Sequence, residues 1–178
     1  MDKIMKPKLL RLIIAALLSV IAVWVALNSH SAMVYGLRLW HGNNINWNGI
    51  EVELNDREYF SRFDHSSENL FIGDWKSQDA TIVLHAGKRT SAHQRVFVSD
   101  FCAPKECRHV SEFSTVVNGE KVDIFTFVKM YGGPSRTIFH QYILIDGADI
   151  WIEYFGEESR YASHKSTIDS LIEKITKK

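Results

Sequence analysis

The chain has 178 residues, with 21 basic and 21 acidic side chains, and therefore no formal net charge at pH 7. Its first 27 residues carry four of the basic residues and one of the acids, so the remainder has a formal charge of −3. A mildly acidic remainder of about 150 residues has the size of one ordinary domain and lacks the basic patch that nucleic-acid binding requires. Its densest basic stretch, residues 88–95, is explained by a solvated loop.

The N-terminus predicts a membrane anchor. The segment from Leu12 to Leu27 is apolar and uncharged, and with the leucines before it a helix would span a hydrocarbon core of roughly 30 Å. Four basic residues precede this segment: Lys3, Lys6, Lys8 and Arg11. Because positive flanks stay in the cytoplasm, we assign residues 1–11 to a cytoplasmic basic segment, residues 12–28 to a transmembrane helix and residues 32–178 to an extracytoplasmic domain.

A cleaved signal peptide is the alternative interpretation of the same segment. Ser29 and Ser31 would supply the small residues that a cut before Ala32 needs. The apolar run is longer than a usual signal core, and Trp24 near its outer end suits a membrane interface. Both interpretations place the domain outside the cytoplasm, either on the inner membrane or secreted into the periplasm.

Most of the domain reads as β-strands. Alternating and β-rich segments predict strands at 49–54, 69–75, 80–86, 94–99, 113–117, 121–130, 137–145 and 150–156. Residues 41–49 read as a turn before the first strand. Asn118-Gly119 between two β-rich segments predicts a type I′ hairpin, and the strands from 114 to 155 form an antiparallel meander.

The only two cysteines are Cys102 and Cys107. In an oxidising compartment we expect a disulfide between them, with Pro104 favouring the bend. Free thiols, a redox pair and a zinc site with His109 and Asp100 are the alternatives. The C-x4-C spacing lacks the C-x-x-C arrangement of a redox pair, and no second ligand pair for zinc is present.

The C-terminus predicts an amphipathic helix over 166–178. Its apolar stripe consists of Ile168, Leu171, Ile172 and Ile175. Ser166 with Asp169 resembles a capping box, although Tyr161 continues the stripe and would allow a start near Ser159. The sheet is the available surface for this helix, so the predicted fold class is α+β, a single domain with an antiparallel meander sheet packed by a C-terminal amphipathic helix.

This arrangement resembles the PsbP-like α/β/α sandwich. The segments that carry the resemblance are "GIEVEL" at 49–54, the meander from 114 to 155, and "IWIEYFG" followed by "STIDSLIEKI". The resemblance implies a binding or assembly role without a shared catalytic motif, and it transfers no functional residue.

No motif in the sequence is typical of a particular enzymatic reaction. The sequence has no G-x-S-x-G elbow. His85 and His93, on either side of a predicted turn, would form a metal site with His140 only if their strands were neighbours, and isolated histidines are more often plain polar residues. We therefore predict no catalytic residue, no cofactor and no metal ligand.

The last strand suggests a binding face. In "IWIEYF", Ile150, Ile152 and Tyr154 share one side of the strand, while Trp151, Glu153 and Phe155 share the other. Both sides are therefore partly apolar. Either the sheet is covered on both faces, or Trp151 and Phe155 line an apolar groove for a ligand or partner.

The sequence favours a single-pass, membrane-anchored periplasmic binding or assembly module. Its expected contacts are the membrane, through the N-terminal helix, and an envelope protein, with no nucleic acid. The alternative is a periplasmic hydrolase or metal-dependent enzyme that uses scattered His, Asp and Ser residues. An enzyme would require these residues to converge in the fold.

The predicted topology can be tested with a reporter that is active only outside the cytoplasm. Fused after Lys178, it is expected to be active, because the basic residues hold the other end inside. The mass of the mature chain separates the two interpretations, since signal cleavage would remove about 31 residues. Activity of a cytoplasmic reporter alone would contradict the topology.

Overall fold

A computed structural model of the chain describes residues 7–62, 68–74, 77–102, 106–131 and 137–177. Four helices are described: α1 (Pro7–Leu27), α2 (Ser29–His41), α3 (Ser91–Phe101) and α4 (Glu158–Thr176). The strands are β1 (Asn44–Trp47), β2 (Ile50–Glu53), β3 (Glu58–Arg62), β4 (Asn69–Asp74), β5 (Ser77–Ala86), β6 (Cys107–Val117), β7 (Glu120–Met130), β8 (Thr137–Ile145) and β9 (Ile150–Gly156). The predicted bend at Pro104 and the basic residues before Pro7 lie outside the described residues.

The predicted α+β class and its antiparallel sheet are confirmed. Seven strands form one sheet in the order β3-β4-β5-β9-β8-β7-β6, and β1 and β2 form a separate hairpin. All pairings are antiparallel. The meander of β6 to β9 follows the predicted order, and β9 then pairs with β5 and joins the two halves of the sheet.

Two tight turns depend on left-handed backbone conformations. Asn118 and Gly119 have φ angles of 51° and 89° and connect β6 to β7 as the predicted type I′ turn. Asn48 and Gly49, with φ angles of 49° and 75°, make an equivalent turn between β1 and β2. The sequence interpretation of residues 41–49 as a turn only is therefore wrong, because residues 44–47 form strand β1.

One side of the sheet, together with the β1–β2 hairpin, packs against α4. The largest fully buried side chains of this layer are Ile50, Phe60, Leu70, Ile72, Ile82, Leu84, Ile143, Ile152, Tyr154, Ile168 and Leu171. The predicted stripe of α4 is confirmed as buried. The helix begins at Glu158 with Glu157 as N-cap, so the interpretation of Ser166 and Asp169 as a capping box is wrong, because both lie inside the helix.

A buried polar network fixes α4 to the β3–β4 end of the sheet. His164 Nδ1 lies 2.8 Å from Glu58 Oε1, and His164 Nε2 lies 3.3 Å from Asp74 Oδ2. The Thr167 hydroxyl donates to the other oxygen of Glu58 at 2.8 Å. The side chains of His164, Glu58 and Asp74 are at most 1% exposed. Such groups are tolerated inside a protein only when they are paired and hydrogen-bonded.

The segment predicted as a strand at 94–99 is wrong, because it belongs to α3. Thr90 caps this helix by accepting a hydrogen bond from the backbone N–H of His93. Gln94 and Val98 are four residues apart and both face inward, which is helical and not strand spacing. The β-branched and aromatic residues of this segment favoured a strand locally, but packing against the sheet selects the helix.

The N-terminal residues form α1 and α2, which are separated at Asn28. Among the described residues, no helix is by itself both long enough and apolar enough to cross a membrane. Residues 13–27 and 32–41 satisfy that criterion only as a pair, with a bend of 102° between them.

Candidate functional site

The side of the sheet opposite α4, here called the α3 face, carries the candidate site. Strand alternation brings together polar and aromatic side chains from three adjacent strands on this side. They are His85 of β5, His140 and Tyr142 of β8, and Trp151, Glu153 and Phe155 of β9, with Arg89 and Gln94 at the start of α3. The central part of the face packs against α3 through Val98.

Arg89 is held by aromatic rings. Its guanidinium carbon lies 4.6 Å from the centre of the Trp151 ring and 5.0 Å from that of Phe97. Trp151 also stacks on His85, with ring centres 3.7 Å apart and planes at 5°. Arg89 Nε is buried and has no hydrogen-bond partner among the described residues. The guanidinium is therefore fixed in place by ring contacts with a donor still unused.

Glu153 is contacted by three side chains of the α3 face. His85 Nε2 lies 3.1 Å from Glu153 Oε2, and His140 Nδ1 lies 4.0 Å from Glu153 Oε1. Tyr142 lies directly opposite Glu153 in the β8–β9 pairing and hydrogen-bonds to it. A charged residue inside an apolar strand is costly unless such partners compensate it.

Burial and charge set the protonation states here. Burial raises the pKa of Glu153, but the hydrogen bonds from His85 and Tyr142 outweigh it, and the net pKa is lowered. Burial lowers the pKa of His140 to about 4, although the charge of Glu153 opposes this shift. Burial, followed by the charge of Glu153, raises the pKa of Tyr142. At neutral pH the site therefore holds an ionised Glu153 beside a neutral His140 and a neutral Tyr142.

Several buried polar atoms of the α3 face lack hydrogen-bond partners within the described residues. Gln94 is 0% exposed, and both its amide oxygen and its amide nitrogen are unpaired. His140 Nδ1 and Arg89 Nε are also unpaired. Buried polar atoms in native proteins nearly always have a partner. Unused donors and acceptors from three residues on one face are the usual sign of a polar ligand site or of buried water.

A cavity of about 350 Å³ opens beside Arg89 at the start of α3. Lys88, Arg89 and Lys121 line it together with Asp123. Asp123 is engaged by Ser91 at 2.5 Å, by Lys121 at 2.9 Å and by Ser114, and these hydrogen bonds outweigh burial and lower its pKa to about 2. Lys88 pairs with Asp149 at 3.6 Å. Lys88 and Lys121 are thus both paired with carboxylates, whereas Arg89 has no carboxylate partner among the described residues.

Trp151 and Phe155, the predicted binding face, do lie on the same side of β9. Both are half-buried, and the Phe155 ring lies 6.3 Å from the His140 ring. Glu153 lies between them, so the surface is mixed and not an apolar groove. The sequence interpretation missed Arg89, which it assigned to a solvated loop, and Gln94. It placed Glu153 on the side of Trp151 without giving it a role.

The two cysteines lie at disulfide distance, with Cα atoms 5.2 Å apart. Cys102 is the C-cap residue of α3 and Cys107 begins β6. Both pack against the aromatic layer of the α3 face. A bridge between them would attach the end of α3 to β6 at the edge of the sheet.

His85, His93 and His140 do not form a metal site. His93 is exposed on α3, because residues 91–101 form a helix where the metal hypothesis required a strand. No cluster of three or more His, Cys, Asp and Glu side chains within the described ranges has a geometry that could hold a metal ion.

Comparison with known proteins gives no family. No family model and no curated protein matches the sequence. The chain is similar in structure to a cyanobacterial PsbP from Synechocystis sp. PCC 6803, with a TM-score of 0.47 and 10% identity over 74% of this chain and 89% of that one. It is also similar to PA94, a Pseudomonas aeruginosa protein of unknown function, with a TM-score of 0.44 and 9% identity over 73% and 92%. The resemblance to the PsbP-like arrangement is thus found again in the structure, and likenesses this distant say nothing about function.

The low pKa of His140 predicts a loss of stability in mild acid. The pKa of His140 is 6.5 in the unfolded chain and about 4 in the folded chain. Between these two pH values the unfolded chain binds a proton at His140 and the folded chain does not. The free energy of unfolding therefore falls as the pH falls, by up to ~3 kcal/mol. His140→Phe keeps a ring in place and is expected to remove this part of the pH dependence in denaturant unfolding at pH 7 and pH 4.5.

The matched control is His93→Phe on the exposed side of α3, which is expected to retain the pH dependence of the unmodified chain. Equal pH dependence for His140→Phe and the unmodified chain would contradict a buried, neutral His140.

Proposed function

We propose that this chain is a membrane-anchored binding module of the cell envelope, and that its α3 face binds a partner or ligand carrying an acidic group. The observation that carries the proposal is Arg89, held between Trp151 and Phe97 with a buried donor unused and no carboxylate among the described residues paired with it. A guanidinium fixed in this way is suited to planar, bidentate recognition of a carboxylate.

The surroundings of Arg89 support a binding role. The cavity beside it gives a small acidic group access to the guanidinium. Rings on either side restrict the side chain, so little rotamer entropy remains to be lost when a ligand binds. Gln94 adds amide groups without partners in the same layer, and half-buried Trp151 supplies an apolar surface for the remainder of the ligand.

The membrane anchor belongs to the same proposal. It is supported by the apolar residues of α1 and by the basic residues that precede them in the sequence. A disulfide between Cys102 and Cys107 would be consistent with an oxidising compartment. An anchored module would meet its partner at or near the outer surface of the inner membrane.

A hydrolase or metal-dependent enzyme is the second candidate. It is favoured by the convergence of His85 and His140 on Glu153. A general acid–base pair works best with a pKa near the operating pH. The pKa of Glu153 is lowered, and that of His140 is about 4, so neither group is poised to exchange a proton near pH 7. The distance of both pKa values from pH 7 favours binding over catalysis.

The proposal is tested by photo-crosslinking in intact cells. A photo-reactive amino acid replaces Lys88, whose side chain is exposed at the cavity beside Arg89. Arg89→Gln is expected to reduce the crosslinked product at least tenfold, because losing one charged partner of a desolvated pair costs about 2–5 kcal/mol.

The control is Lys165→Gln, which removes an exposed charge from α4 and is expected to leave crosslinking unchanged. Thermal melting of each variant excludes unfolding as the cause. Undiminished crosslinking in folded Arg89→Gln would contradict recognition through Arg89.

A further inference from the structure

Strand β6 forms an open edge of the seven-stranded sheet. It pairs only with β7 in the described sheet order, and nine of its eleven residues are exposed. At about 3.4 Å per residue, the regular part of this strand, from the bulge at residues 108–111 to Val117, offers an edge of roughly 24 Å. Proteins usually shield long edges with charges, prolines or covering segments, since a bare edge pairs with other chains.

Three large apolar side chains lie exposed along this edge. Val110 is 57% exposed, Phe113 is 53% exposed and Val116 is 67% exposed. The remaining positions after the bulge at residues 108–111 are mostly small and polar. Isolated apolar residues on a surface need no explanation, but these three are evenly spaced at intervals of three residues.

The pairing with β7 assigns each of them to a side of the sheet. Phe113 lies opposite Ile124, which belongs to the α4 layer. Glu112 lies opposite Phe125 on the α3 side. Val116, which lies opposite Lys121, comes four positions after Glu112 and is therefore on the same side. Val110 lines a shallow depression of the α3 side together with Phe125. The two valines therefore share one side, and Phe113 lies on the other.

We propose that β6 pairs antiparallel with β6 of a second copy of this chain, around a two-fold axis at Phe113. Antiparallel pairing centred on this residue places Phe113 opposite its own symmetry mate. The same register places each Val110 opposite Val116 of the other copy. All three exposed apolar residues of the edge then meet an apolar partner on their own side of the sheet.

The polar residues fit the same register. Ser111 comes opposite Thr115, and Glu112 comes opposite Ser114, so no like charges face each other. The interface is isologous, as two-fold symmetry requires, and it closes after two copies. Backbone pairing removes the bare edge from both chains and joins their sheets. This inference does not depend on the function proposed for Arg89.

The test introduces a cysteine on the proposed axis of the full-length chain. Across an antiparallel pair the two Cα atoms are about 4.5–5.5 Å apart, which suits a disulfide. Phe113→Cys is therefore expected to give a covalent dimer in mild oxidant. Thr115→Cys is the control, because its symmetry mate lies four positions away, roughly 13 Å along the strand. Mixing Ser111→Cys chains with Thr115→Cys chains is expected to restore crosslinking.

Phe113→Lys supplies the second measurement. It is expected to convert the purified chain from dimer to monomer by light scattering, with unchanged melting of the monomer, because the side chain is exposed. A dimer that survives Phe113→Lys would place association elsewhere and overturn the proposal. Absence of a Phe113→Cys dimer, or equal crosslinking of Thr115→Cys alone, would also overturn it.

Discussion

The buried contact between His164 and two carboxylates is the constraint on which the remaining architecture depends. Glu58 begins β3 and Asp74 ends β4, and the two residues face each other across that pair of strands. His164 contacts both carboxylates, so the network pairs polar groups that the interior would not tolerate alone. Removing one partner of a buried ion pair typically costs about 3–5 kcal/mol. The network thereby specifies where α4 lies on the sheet, and the apolar stripe of α4 then packs against one side of it.

The side of the sheet opposite α4 differs in composition. The strands β8 and β9 alternate strictly, with Ile143, Ile152 and Tyr154 in the α4 layer and Tyr142 and Glu153 on the α3 face. The same strands thus contribute to the apolar core and to a polar, aromatic surface. On the α3 face a short helix covers only part of the sheet. A face that carries less of the folding free energy can retain unpaired donors such as Arg89 Nε, because binding sites commonly include groups that are not optimised for stability.

Local sequence patterns predicted the elements that depend on local physics. The Asn118-Gly119 hairpin follows from turn chemistry, and the two-sided character of 150–156 follows from strict alternation. The stripe of α4 follows from helical spacing. The error at α3 has a physical cause, because one of its two buried positions holds Gln94 instead of an apolar residue. That residue breaks the apolar periodicity by which an amphipathic helix is recognised.

The candidate site was less predictable because it is assembled across the sheet. His85 and Glu153 are 68 residues apart and meet only through the pairing of β5 with β9. Strand order cannot be derived from alternation within one strand. Arg89 stood in a basic stretch that resembled a solvated loop, and its contact with Trp151 depends on where α3 packs. One usable signal was present, namely a charged residue between Trp151 and Phe155 in an otherwise apolar strand.

We infer that α4 holds the fold together, while α3 belongs to a separable layer on the face for which binding is proposed. Amide hydrogen exchange of the full-length chain, followed peptide by peptide, measures this difference directly. Amides of α4 are expected to exchange only with global unfolding, and amides of α3 are expected to exchange through local opening of lower free energy. Equal protection of α3 and α4, or earlier exchange of α4, would contradict the account.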